Sequence, residues 1–76
     1  MLIGDVARRV GIHASAVRYY ERQGIFPSVS RRPNGYRQYD SNDVKVLLFT
    51  VRARALGITL KEIRSLVKLG NSSEAL

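Results

Sequence analysis

The sequence has no cysteine, a single histidine and only six acidic residues among its 76. Without thiols there is neither a disulfide staple nor a thiolate zinc site, so a fold this small must rest on well-capped, well-packed elements. A lone histidine has no partners for a metal site either. Long apolar runs are missing as well. The longest, Val46 to Val51, is broken by Thr50 and falls far short of the ~18 to 20 residues a membrane span needs. Asp5, Arg8 and Arg9 interrupt the amino end, which therefore does not read as a signal peptide. No G-x-G-x-x-G, Walker A or H-E-x-x-H pattern occurs. These gaps predict a soluble, cytoplasmic domain that is not an enzyme and calls for no cofactor, metal or membrane.

Positive charge is what the chain has in excess. Thirteen Lys and Arg against six Asp and Glu leave a net +7 and a sequence pI near 10.6. Acidic surfaces are the expected partners. Up to Tyr39 there are seven basic and two acidic residues, net +5; beyond it there are six and four, net +2. Ten of the thirteen cations are Arg, whose planar fork grips phosphate and the guanine edge with paired hydrogen bonds better than Lys does. That bias favours nucleic acid over a loosely held anionic surface. A solvated basic face that keeps a small domain soluble would show the same totals, so spacing must discriminate. At 45% hydrophobic residues, the chain has room for one domain with a modest core.

Ile3, Val6, Ala7 and Val10 recur at three- and four-residue steps, predicting a short helix that buries one stripe and turns Arg8 and Arg9 outward. Gly11 is placed to stop it. After Gly11, Ile12 and His13, a second segment from Ala14 to Gln23 sets Ala16, Val17 and Tyr20 on one side and Ser15, Arg18, Tyr19 and Arg22 on the other. Two short helices around a three-residue, glycine-containing turn form a helix-turn-helix pattern, whose second helix is sized for the major groove of DNA. A generic helical hairpin shares the apolar stripes. Neighbouring tyrosines in a helix point about 100 degrees apart, so Tyr20 packs while Tyr19 joins the arginines, within reach of phosphate, sugar or a thymine methyl. His13, at the entrance to this helix, reads as structural or peripheral.

Gly24 is expected to end the second helix, and Pro27 prevents its continuation. Ser28 to Ser30 and Tyr36 to Tyr39 are short β-compatible runs around Arg31, Arg32, Pro33, Asn34 and Gly35, with Asn-Gly supplying a tight hairpin turn. Such a ribbon must lean on the helices, leaving a basic tip whose arginines serve either contact or edge protection. Asp40 or Ser41 caps a third helix with Asp43 reaching back, and Val44, Leu47, Leu48, Val51 and Ala55 make a long buried stripe closed by Gly57. A T-x-x-E capping box at Thr59 and Glu62 opens a fourth helix, with Leu60, Ile63, Leu66 and Val67 facing inward and Gly70 ending it. The expected fold class is mainly α: a winged helix-turn-helix of four helices and a small two-stranded β-hairpin. The domain should occupy residues 1–70, with 71–76 a frayed tail or the start of a connection.

The run Arg18-Tyr19-Tyr20-Glu21, then Gly24-Ile25 and Pro27, then Asn34-Gly35-Tyr36-Arg37 with Tyr39, then Gly57-Ile58-Thr59-Leu60 with Glu62-Ile63, resembles the DNA-binding domain of MerR-type transcriptional regulators. The opening Ile3-Gly4-Asp5-Val6-Ala7 fits too, and the similarity spans residues 2 to 69. The resemblance implies that the second helix enters the major groove, the hairpin is a first wing, and the turn before the fourth helix makes a second phosphate contact. Carried over, Ser15, Arg18 and Tyr19 work at the groove, Arg31, Arg32, Asn34, Tyr36 and Arg37 hold the backbone, and Arg54 and Lys61 lie near the second wing. Two residues depart from the pattern at the start of the recognition helix: His13 stands where Ser or Thr is common, and Ala16 where Thr is common.

The resemblance further implies double-stranded promoter DNA as partner, RNA polymerase engaged indirectly, and a homodimer in the full-length protein whose binding bends and untwists an over-long promoter spacer. Members usually continue into a long dimerising helix and a sensor domain, so this chain is expected to be a fragment of a longer regulator in preference to a naturally short relative that dimerises by other means. Two other classes share its features. A single-stranded RNA binder would want exposed aromatic platforms, whereas most tyrosines here are assigned to packing or backbone. An architectural or accessory DNA-binding protein would use the same helices without controlling transcription.

Overall fold

A computed structural model describes the backbone of residues 1–26, 30–31 and 37–74, and the side chains of residues 1–26 and 38–70. Four helices carry the fold: α1 (Ile3–Val10), α2 (Ala14–Arg22), α3 (Ser41–Ala55) and α4 (Leu60–Glu74). Two short strands, β1 (Ser30–Arg31) and β2 (Arg37–Gln38), pair antiparallel between α2 and α3, with Ser30 opposite Gln38 and Arg31 opposite Arg37. Residues 28, 29 and 36 of the predicted β-compatible runs and the Asn34-Gly35 turn lie outside the described residues.

Local chemistry starts and stops each helix. The Asp5 carboxylate accepts from the Leu2 amide at 3.4 Å and pairs with Arg8, placing negative charge at the positive end of α1. At its other end Gly11 turns with φ +83, a conformation that would strain any residue with a Cβ, so that the Gly11 and Ile12 amides both reach the Ala7 carbonyl. In α3, Asp40 is the cap. Its carboxylate accepts from the Asp43 amide at 2.9 Å, while the Asp43 carboxylate accepts from the Asp40 amide at 3.0 Å. Thr59 and Glu62 form the expected reciprocal box at the start of α4.

The interior divides into two clusters. Val6, Ala7, Val17, Phe26, Tyr39 and Leu47 join α1, α2 and the amino-terminal half of α3, whereas Ile25, Ala53 and Ile63 join the far end of α3 to α4. Tyr20 packs against both. Tyr39, predicted as the end of a strand, belongs instead to the core: its ring meets Phe26 edge-on at 5.8 Å, and its backbone exchanges two hydrogen bonds with Met1.

Three sequence expectations are corrected. Because α3 serves two clusters on different sides, its buried row is Asp43, Leu47, Thr50 and Ala53, and Ala55 is exposed rather than part of one continuous stripe. Leu66 is 45% exposed, since α4 is anchored through Ile63, which is fully buried, with Leu60 and Val67 beside it. Gly70 does not end α4, whose helical backbone runs to Glu74 through part of the stretch expected to be a tail. A single exposed glycine costs a helix only about 1 kcal/mol and does not break it.

Candidate nucleic-acid interface

Helix α2 presents the most informative surface. Val17 is completely buried and fixes the helix's rotation, which leaves Ser15, Arg18, Tyr19 and Arg22 exposed together at i, i+3, i+4 and i+7. The seven helical steps from Ser15 to Arg22 extend about 10 Å, within the ~12 Å width of a B-DNA major groove. The Tyr19 ring, 42% exposed, leans edge-on against Tyr20 at 5.4 Å, which holds it upright on this face. Asp5 pairs with Arg8, whereas neither Arg18 nor Arg22 forms an ion pair with another described residue.

Among the described residues, the acidic groups are occupied by structure. Asp5, Asp40, Asp43 and Glu62 stand at helix starts, and Glu21 accepts from the Tyr39 hydroxyl at 3.0 Å. Hydrogen bonds from the Thr59 hydroxyl and amide hold the Glu62 carboxyl below its ordinary range. Four of these five carboxylates therefore sit at helix starts, while Arg18, Arg22, Arg54 and Lys61 are exposed.

The remaining predicted site residues fall into two groups. Arg54 and Lys61 are both exposed and flank the α3–α4 turn, where the Arg54 guanidinium donates to the Ile58 carbonyl at 3.4 Å. Arg31 and Arg37 face one another in the β1–β2 register; Arg32, Asn34 and Tyr36 lie outside the described residues. His13 precedes α2 with an extended backbone and makes no side-chain capping bond, and the Ala16 and Val17 amides donate to its backbone carbonyl. Two supporting residues escaped the sequence reading: Glu21 as partner of Tyr39, and Arg64, whose guanidinium donates to the Gln23 carbonyl at 2.9 Å. Both bridge distant segments, which no helical or strand period reveals.

A helix-turn-helix with an exposed cationic second helix defines the class of protein. The description "MerR HTH family regulatory protein" matches residues 1–69, and the chain belongs to that family, as the DNA-binding domain of a transcription regulator. It is 39% identical over 74 residues to the HTH-type transcriptional regulator ZntR homolog of Haemophilus influenzae, covering 97% of this chain and 55% of that protein. Its fold is similar to that of the transcription regulator PbrR691 from Ralstonia metallidurans, solved in complex with lead(II), with a TM-score of 0.88, 36% identity, and 97% and 58% of the two chains covered. It is also similar to HiNmlR, a MerR family regulator lacking the sensor domain and solved bound to promoter DNA, with a TM-score of 0.83, 26% identity, and 92% and 53% covered. The chain thus spans about half the length of the relatives it matches.

Among the described residues, no group of three His, Cys, Asp or Glu is placed to hold a metal ion, and no helix is long and apolar enough to cross a membrane.

Proposed function

We propose that the chain reads double-stranded promoter DNA in the cytoplasm with α2 in the major groove, as one half of a dimeric regulator. The observation that carries this reading is the exposed row of Ser15, Arg18, Tyr19 and Arg22, whose two guanidinium groups have no carboxylate partner among the described residues. Arginine in the major groove reads guanine through paired hydrogen bonds to O6 and N7, and a tyrosine beside it reaches phosphate or a thymine methyl. The β1–β2 pair acts as a wing. Its register pairs two cationic residues, Arg31 with Arg37, which hold the DNA backbone in this reading. Arg32, Asn34 and Tyr36 extend that contact along the backbone, and Arg54 and Lys61 form a second phosphate contact from the α3–α4 turn.

Dimerisation is supported by apolar surface left open on α3 and α4. Phe49, Leu56, Leu66 and Leu69 are 40%, 81%, 45% and 64% exposed, and Phe49 and Leu56 border an open groove of about 400 Å³. A second copy, brought in by the further length that the relatives possess, covers this surface and sets a second α2 one helical turn of DNA away. RNA polymerase then responds to the altered DNA without needing direct contact. An architectural role would use the same groove contacts but leave transcription unaffected.

Selection of duplexes from a randomised pool on the 76-residue chain supplies a test. Arg18→Ala should cost roughly 1 to 3 kcal/mol on the selected duplex and relax selectivity there. Arg37→Ala should weaken all duplexes alike and lower the salt slope by about one. An equal loss from Arg18→Ala on every sequence refutes base reading by this residue, and a better-retained single strand refutes the duplex reading.

A further inference from the structure

We infer that Arg64 on α4 is a positioning residue for the recognition helix, holding the carboxyl-terminal end of α2; this rests on the DNA-reading role proposed above. The turn after α2 satisfies the carbonyls of Tyr19, Tyr20 and Glu21 from its own amides. The Gln23 amide donates to Tyr19, Gly24 to Glu21 and Ile25 to Tyr20, at 3.0 to 3.1 Å. The Gln23 carbonyl, past this pattern, is taken from 41 residues away by the Arg64 guanidinium at 2.9 Å. A cation there also suits the negative end of the helix.

Neighbouring contacts make this a clamp on three consecutive residues. Gly24, at φ +76, lies beneath the Arg64 stem: a Cβ built there would stand 3.7 Å from Arg64 Cδ, an ordinary van der Waals contact. Ile25 then enters the cluster with Ala53 and Ile63, the residue beside Arg64. Residues 23, 24 and 25 are therefore all gripped by α4 or its cluster, while the opposite end of α2 has no side-chain cap. Nine residues of helix are about 13 Å long, so a tilt of roughly 5 degrees at this clamp moves the Ser15 end by about 1 Å. A shift of that size is enough to misplace base contacts. The clamp also gives displacement of α4 a direct route to the groove-facing helix.

An arginine that contacted phosphate itself would lower affinity on removal too, and the two roles separate by salt and by sequence dependence. The 76-residue chain, Arg64→Met and Arg64→Lys are titrated with a duplex selected on the wild-type chain and with a random-sequence duplex, across a range of salt. In parallel the carbonyl carbon of Gln23 is followed by NMR without DNA. The Met variant should bind the selected duplex about fivefold more weakly, leave random duplex within about twofold, and keep the wild-type salt slope. Its Gln23 carbonyl resonance should move upfield, with the Lys variant intermediate in both readouts. Equal losses on both duplexes with a slope lower by about one, or an unmoved Gln23 resonance, overturn the assignment. If the Met variant is unfolded, the Lys variant, which keeps charge and most of the stem, decides by the same criteria. A wild-type chain that enriches no duplex overturns the DNA reading itself; a wild type that binds beside indistinguishable variants overturns the role of Arg64 alone.

Discussion

Replacing Tyr39 with Phe removes a bond that ties the helix-turn-helix to the rest of the chain. Tyr39 is 2% exposed, and its ring packs on Phe26, both of which the substitution preserves. The backbone pair with Met1 also survives, because it uses no side-chain atom. What is lost is the hydroxyl donated to the Glu21 carboxylate at 3.0 Å, linking β2's end to α2. Bonds to charged acceptors contribute about 1.5 to 3 kcal/mol when fully desolvated. Glu21 is half-buried, so water recovers part of that, and the expected loss is about 1 kcal/mol. For a domain of this length, such a loss lowers Tm by about 4 to 8 °C. Urea unfolding of wild type, Tyr39→Phe, Glu21→Gln and the double variant gives the coupling directly, and a value near 1 kcal/mol is expected. Coupling below about 0.3 kcal/mol, within the scatter of independent sites, would refute the reasoning.

Other perturbations address separate parts of the molecule. Ile63→Ala removes the fully buried anchor of α4, and about 2 to 5 kcal/mol should be lost; hydrogen exchange should accelerate most in α4 and around Ile25, and uniform acceleration would contradict the two-cluster description. His13→Ser supplies α2 with the side-chain cap it lacks and should raise stability by roughly 0.5 to 2 kcal/mol, read as a higher urea midpoint; no change would mean that the first turn of α2 is already satisfied. The Glu62 carboxyl is held below its ordinary pKa by Thr59, so its contribution is present above the unfolded value and fades as pH falls through the lower folded one. Glu62→Gln should therefore reduce the loss of stability on acidification below about pH 4.5, and an unchanged acid limb would remove this capping box from the account.

Much of the helical framework and of the candidate interface's exposed face was legible in the chain because helices broadcast themselves locally. Spacing put Ser15, Arg18, Tyr19 and Arg22 on one face, and Gly11, Gly24 and Gly57 marked turns that do adopt positive φ. Capping boxes at Asp40 and Thr59 were readable three residues at a time. Reading failed where one helix met two neighbours. The α3 pattern looked like a single stripe, yet Leu47 and Ala53 enter different clusters, and Ala55 is left outside both.

Periodicity, turn chemistry and charge thus determined the order of the helices, the cationic face of α2 and the family to which the chain belongs, since each depends on residues within one or two turns of each other. Tertiary structure decided how that face is held: by Tyr39 reaching Glu21, by Met1 pairing with Tyr39, and by Arg64 closing on Gln23. These partners stand 18, 38 and 41 residues apart. Their meeting follows from how the two clusters pack, a property of the assembled chain rather than of any local stretch.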